Sequence, residues 1–132
     1  MNTSFNSAST TSILDNYIIV LKKYSDFDGR ARRGEYWYFF LANVVVTQSW
    51  NLVNVFLFNS STLVAGLIML LNLIILVPSI AVAIRRMHDV GKSGWYALIP
   101  IYNLILACRE GEKGVNEYGA NPIVNTLAKA TL

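Results

Sequence analysis

From Tyr36 to Ile84 the chain reads YWYFFLANVVVTQSWNLVNVFLFNSSTLVAGLIMLLNLIILVPSIAVAI, 49 residues without one Asp, Glu, Lys, Arg or His. A water-facing surface cannot be built from that. The whole chain of 132 residues is 54% hydrophobic and 14% charged, where an ordinary soluble domain is roughly 25% charged. The composition argues against a disordered tail, a nucleic-acid-binding domain and a disulfide scaffold, and favours an all-α integral membrane protein. As one helix the run would be a rod of about 73 Å, more than twice the roughly 30 Å hydrocarbon core. It therefore has to fold back once, and Asn59-Ser60-Ser61-Thr62 is the cluster of polar turn residues placed to do it. The reading is a transmembrane hairpin with spans at 37–58 and 62–84.

Working outward, Lys22, Lys23, Arg30, Arg32 and Arg33 precede the run, and Arg85, Arg86 and Lys92 follow it. None lies in the turn. Basic residues flanking apolar spans stay on the cytoplasmic side, so both ends of the hairpin are expected there, with the N-terminus cytoplasmic and Asn59 to Thr62 outside. Tyr36, Trp37 and Tyr38 are the expected aromatic anchor. Inside the first span Asn43, Thr47, Asn51 and Asn54 recur at helical spacing and form a polar stripe. Such a stripe faces a neighbouring helix rather than lipid, and Asn72 and Ser79 of the second span are the expected counterparts. A polar pore lining is the alternative. Pro78 removes one helical hydrogen bond from the second span, which predicts a kink.

Residues 1–11 are rich in Ser, Thr and Asn, lack the basic start of a secretory signal, and read as a disordered tail. Ser12 followed by Asp15 matches a capping box ahead of Leu14, Tyr17, Ile18 and Leu21, predicting an amphipathic helix over 12–24 that lies in the interface or packs against the spans. The third apolar run, 93–108, has 16 uncharged residues interrupted by Pro100, just short of the usual spanning range. A full span is the favoured expectation, and a re-entrant hairpin bent at Pro100 the alternative. Residues 12–122 thus form one membrane domain, a short helical bundle with a third short apolar helix, followed by a tail at 123–132. Cys108, the one cysteine, reads as a small packing residue.

Three polar segments hold most of the charge. They are Arg30-Ala31-Arg32-Arg33-Gly34-Glu35-Tyr36-Trp37, then Arg85-Arg86-Met87-His88-Asp89-Val90-Gly91-Lys92-Ser93-Gly94-Trp95, then Gly114-Val115-Asn116-Glu117-Tyr118-Gly119-Ala120-Asn121-Pro122. Over about residues 20–122 the chain resembles the small bacterial inner-membrane proteins of the YhaH type, a domain of unknown function numbered 805. That family's pattern has Arg-x-x-Arg-x-Glu-Tyr-Trp ahead of the first span, Arg-Arg-Leu-His-Asp-x-Gly-x-Ser-Gly-Trp after the second, and Gly-x-Asn-x-Tyr-Gly-Pro-Asp-Pro in the tail. Met87 departs from the usual Leu, and Ala120-Asn121 from Pro-Asp. The resemblance implies a helical protein of the bacterial inner (plasma) membrane, multi-pass, and brings no activity, cofactor or partner.

Read from the residues, Glu35 is expected to pair with Arg85 or Arg86, and Asp89 with Arg30 or Arg33, tying helix ends together. The functional alternative is an anion site where Arg30, Arg33, Arg85, Arg86 and Lys92 converge on a lipid phosphate. His88 beside Asp89 invites an acid/base or metal role, but one histidine without a cysteine cluster makes no ordinary metal site, and no metal or cofactor is expected. Gly91-Lys92-Ser93 imitates the end of a phosphate loop without its leading glycine. Ser93 reads instead as a helix cap, with Trp95 at the interface. Three functions follow. The first is a non-enzymatic membrane protein whose basic cytoplasmic face contacts anionic lipid headgroups or a protein partner. The second is a small transporter or channel, a homo-oligomer if so, and the third an enzyme acting on lipid through His88 and Asp89. No nucleic acid is expected as a partner.

Overall fold

Asn16 and Val20, one helical turn apart in the first amphipathic stretch, are both buried, and they mark the face by which this helix joins the rest. The computed structural model describes residues 13–124; Ser12, the tail 1–11 and residues 125–132 lie outside that range. Helix α1 runs Ile13–Lys22 and packs on α2, Arg33–Leu57. The Tyr17 ring stacks on Phe39 at 4.8 Å, and its hydroxyl donates to Asn43 Oδ1 at 3.0 Å. Ile13, Leu14, Ile18 and Leu21 stay exposed on the far side.

Helix α3 runs Thr62–Asp89 without a break at Pro78. By the 1.5 Å rise, α2 and α3 are about 37 and 42 Å long, enough to cross a bilayer. Between them Asn59 and Ser60 take left-handed backbone, φ 49° and 58°, a conformation that short polar side chains tolerate better than branched ones. The carbonyl of buried Asn54 receives the N–H groups of Phe58 and Ser60 and closes the turn.

The polar stripe makes one direct bond across the hairpin, Thr47 Oγ1 to Asn72 Oδ1 at 3.3 Å. Asn43 is taken by Tyr17 and Ser79 by the carbonyl of Ile75, while Asn51 is exposed. Asn43, Thr47, Asn72 and Ser79 instead line a cleft of about 970 Å³ between α2 and α3. Side-chain amides and hydroxyls that bond back to their own helix leave fewer groups to bridge the two helices at this level.

The second span extends past Ile84 as helix, so Arg85 to Asp89 form its last turns rather than a connector. Gly91 then takes φ 74°, its N–H bonds His88 O, and the N–H of Lys92 bonds Met87 O. This pair of bonds around a left-handed glycine is the Schellman stop. A 3₁₀ helix, Gly94–Leu98, and α4, Pro100–Cys108, follow.

That geometry overturns the expected third span. Ile99 is extended and Pro100 begins a new helix of 9 residues, about 14 Å long where about 30 Å is needed. Both ends of the segment return to the last turns of α3. A Cβ on Gly94 would lie 2.7 Å from Ile84 Cγ2, and Ala107 O accepts from Arg86 Nε at 3.3 Å. Two smaller expectations change with it. Tyr36 is buried and Trp37 half-buried, leaving Tyr38 of that trio and, beyond it, Trp95 facing outward; and Cys108 is exposed rather than packed. Ser93 holds the cap position of the 3₁₀ helix without a side-chain capping bond.

Buried residues concentrate at this end. Val20, Ala31, Tyr36, Phe39, Val82, Met87, Leu106 and Ala107 form one cluster. Met87, where the family's pattern has Leu, is fully buried, and an unbranched side chain fills such a site without strain.

Candidate functional site: an arginine-clamped cap

A short helix and the loop after it leave carbonyl groups with no helical partner, and at the edge of a membrane such groups need donors from elsewhere. Arginine, with five N–H groups in a rigid fork, is suited to supply them. Arg86 is fully buried. Its Nε donates to Ala107 O at 3.3 Å, Nη1 to Ala31 O at 3.3 Å and to Asp89 Oδ2, and Nη2 to Arg109 O. Trp37 Nε1 reaches Ala107 O as well, at 3.3 Å, so the C-terminus of α4 is capped by two side chains from α2 and α3.

Arg30 does the same for the loop beyond. Its Nε pairs with Asp89 Oδ1 at 2.9 Å, Nη1 donates to Gly114 O at 2.7 Å, and Nη2 to Glu112 O. Asp89 therefore holds one guanidinium on each carboxylate oxygen, and its own carbonyl accepts the N–H of Glu112 at 2.8 Å. Gly111 sits so close that a Cβ there would overlap the Asp89 carboxylate. Arg85, 1% exposed, pairs with Glu35 Oε2 at 3.3 Å, while its Nε and Nη2 lack partners. Arg32 approaches the other oxygen of Glu35 at 3.7 Å.

His88 is buried. Its Nδ1 lies 3.0 Å from Gly29 O, and its ring stacks on Tyr118 at 3.9 Å. The Tyr118 phenol is pushed above the ordinary tyrosine range, first by lost hydration and then by the neighbouring Glu117 carboxylate. Asn116 Nδ2 bonds the carbonyl of His88 at 2.9 Å. The tail's turn is organised by Asn121, which donates to Lys113 O at 3.0 Å and accepts from the N–H of Ile123 at 3.0 Å.

The candidate residues divide in two. Arg30, Glu35, Trp37, Arg85, Arg86, His88 and Asp89 come together in the cap; Arg33 and Trp95 are exposed and Lys92 half-buried at its margin. The five cations do not converge on one point, because three are spent on internal acceptors. Sequence reasoning missed the acceptors themselves, along with Gly111, Asn116 and Tyr118. The Gly-x-Asn-x-Tyr-Gly pattern was the available signal for the last two. Among the described residues no group of three His, Cys, Asp or Glu side chains is placed to hold a metal.

A hairpin of two helices long and apolar enough to cross a bilayer, closed at one end by buried charge, is a helical integral membrane protein. Residues 24–120 match the family described as a protein of unknown function, DUF805, and the chain belongs to that family. It is 41% identical over 113 residues to the inner membrane protein YhaI of Escherichia coli K12, covering 80% of this chain and 93% of that one. It is 35% identical over 117 residues to the inner membrane protein YhaH of the same strain, covering 83% and 97%. The protein is accordingly an inner-membrane protein, as the resemblance in its motifs implies. No solved structure matches the chain.

Proposed function

We propose that the protein is a non-enzymatic, two-span membrane protein whose clamped cap and both flanking segments stand in the cytoplasm, where its outer cations meet anionic lipid headgroups. The observation that supports this is the distribution of charge. Every described Lys and Arg belongs to the end where α2 begins and α3 ends, and the Asn59 to Thr62 turn carries none. With 93–108 returning to that end, the segment after Cys108 joins it too, which strengthens the positive-inside argument over the sequence reading. The inner arginines are committed to the fold. Lys22, Lys23, Arg33, Lys92, Arg109 and Lys113 remain around it for headgroups, each contributing on the order of 1 kcal/mol near an anionic surface.

Cysteine labelling in intact cells, in a Cys108→Ser background, tests the orientation. Probes at Asn59 and Ser61 should react with an impermeant reagent from outside and probes at Lys92 and Val115 should not; the opposite pattern rejects the arrangement. Lipid retained on the purified protein tests the headgroup contact. Changing Lys22, Lys23, Arg33, Arg109 and Lys113 to Gln should abolish any enrichment of phosphatidylglycerol over phosphatidylethanolamine, and unchanged enrichment counts against it. Cells relying on a His88→Gln variant should retain whatever phenotype the native protein confers.

A further inference from the structure

The cleft between α2 and α3 is not explained by the cap. It extends from Thr47 and Gln48 on α2 and Asn72 on α3 to Tyr36, His88, Ser93 and Asn103 at the charged end. That is about 18 Å along α2 at 1.5 Å per residue, wholly within the apolar run apart from its mouth. Its volume of about 970 Å³ is at the upper end for a small-molecule site. A helix about 10 Å across would need about 1,400 Å³ over the same length, so a single lipid suits the space better than a span of a second copy.

The lining carries its own specificity. It contains no Lys, Arg, Asp or Glu, so it would bury a phosphate without a counter-charge. Its charged end carries the Ser93 hydroxyl and two acceptors, on Asn103 and His88. Asn103 turns its Nδ2 to Ala97 O at 3.2 Å and its amide bears on the Tyr36 phenol, while its buried Oδ1 makes no hydrogen bond of good geometry. His88 uses Nδ1 towards the Gly29 carbonyl, which makes Nδ1 the donor and leaves Nε2 an acceptor in the neutral ring. Nε2 lies against Gly94 in the cleft wall, 3.5 Å from where a Cβ would stand. A side chain at Gly94 would obstruct this corner.

We propose that the cleft binds a neutral, hydroxyl-headed lipid of the diacylglycerol class, its single hydroxyl donating to His88 Nε2 and its chains lying along Phe40, Val44, Leu76 and Ile80. The site is separate from the outer cations, and its test does not depend on the orientation of the hairpin.

The probe is 1,2-dioleoylglycerol, added to the full-length protein in zwitterionic nanodiscs, with binding read as saturable displacement of a diazirine-bearing analogue that crosslinks to the cleft. Methyl oleate, which has a chain but no donor, and phosphatidylglycerol, which has a phosphate, are the competitors. Dioleoylglycerol should displace the analogue and the other two should not. His88→Phe should weaken displacement about tenfold, as expected for one lost hydrogen bond. Ala83→Phe, which fills the cleft wall without touching either acceptor, should abolish it while leaving the thermal midpoint near that of the native protein. Equal competition by methyl oleate would mean that bulk chains alone fill the cleft, and stronger competition by phosphatidylglycerol that the head is anionic. Crosslinking of Val44→Cys to a second copy would mean that a protein fills it. Each of these overturns the proposal, as does a normally folded Ala83→Phe variant that still binds.

Discussion

Asp89 carries more of the cap than any other acid, because each of its oxygens faces a buried guanidinium. Replacing it by Asn keeps the volume and removes the charge, leaving Arg30 and Arg86 uncompensated. Breaking a buried pair in this way costs about 3–5 kcal/mol, and Asp89→Asn should lower the thermal midpoint in detergent accordingly. Glu117→Gln, at an exposed acid, should cost less than about 1 kcal/mol of stability. Arg86→Lys is a sharper comparison. It conserves the charge but substitutes a compact ammonium for a planar fork, so the carbonyls of Ala31, Ala107 and Arg109 cannot all be reached at once. A loss well beyond that of an exposed Arg33→Lys change is expected; equal losses would show that charge alone matters. At this scale part was legible from sequence: Glu35 with Arg85 or Arg86 and Asp89 with Arg30 or Arg33 could be read as pairs, and of these Glu35 takes Arg85 and Asp89 takes Arg30, while Arg86 goes to Asp89 instead. The partners that make the cap rigid could not be read. They are backbone carbonyls, which every residue has, and only the return path of 93–108 decides which of them arrive.

Gly91 ends α3, and where that helix ends decides where everything after it goes. An Ala at φ 74° incurs a left-handed penalty of about 1–2 kcal/mol, and its Cβ would meet the Glu112 side chain. Gly91→Ala should therefore destabilise the protein by at least that amount in a denaturant titration. It should also loosen the loop at 109–119, seen as faster amide exchange there than in α2. The hairpin, its turn and the amphipathic α1 were readable because each rests on a local pattern: an uncharged run, a polar cluster, apolar residues at helical spacing. The sequence leaves 93–108 open between a span and a re-entrant hairpin for the opposite reason. Sixteen uncharged residues lie at the border of what spans, and Pro100 can kink a helix or begin one. What settles it is tertiary, since Arg86 and Trp37 hold the far end of α4 against the level at which the segment began. The polar stripe was likewise found by its spacing but not by its use, because the amides of Asn43 and Asn72 spend donors on their own helix and so leave a cleft instead of a seam.

Across the whole molecule, charge and packing are placed at the same end. The cluster of buried residues sits beneath the cap, while the far half of the hairpin is mostly exposed apolar surface of the sort lipid covers. The cap can fold as a unit only if its charged groups reach water together, so the hairpin's orientation and the cap's stability are linked. Lysines placed at Asn59, Ser60 and Ser61 put a competing positive cluster on the turn. Against ten described basic residues at the other end, three should not reverse the hairpin, because the imbalance still favours the cap side. Removing the cap's outer cations at Lys22, Lys23, Arg33, Arg109 and Lys113 as well leaves five against three, and three of those five are the arginines buried by folding. The combined variant should then insert in both orientations, detected as labelling of Val115→Cys from outside in a fraction of molecules. The inverted fraction should also be protease-sensitive if insertion by charge and closure of the cap are coupled, and a uniformly oriented, protease-resistant product would show that the folded cap sets the orientation by itself.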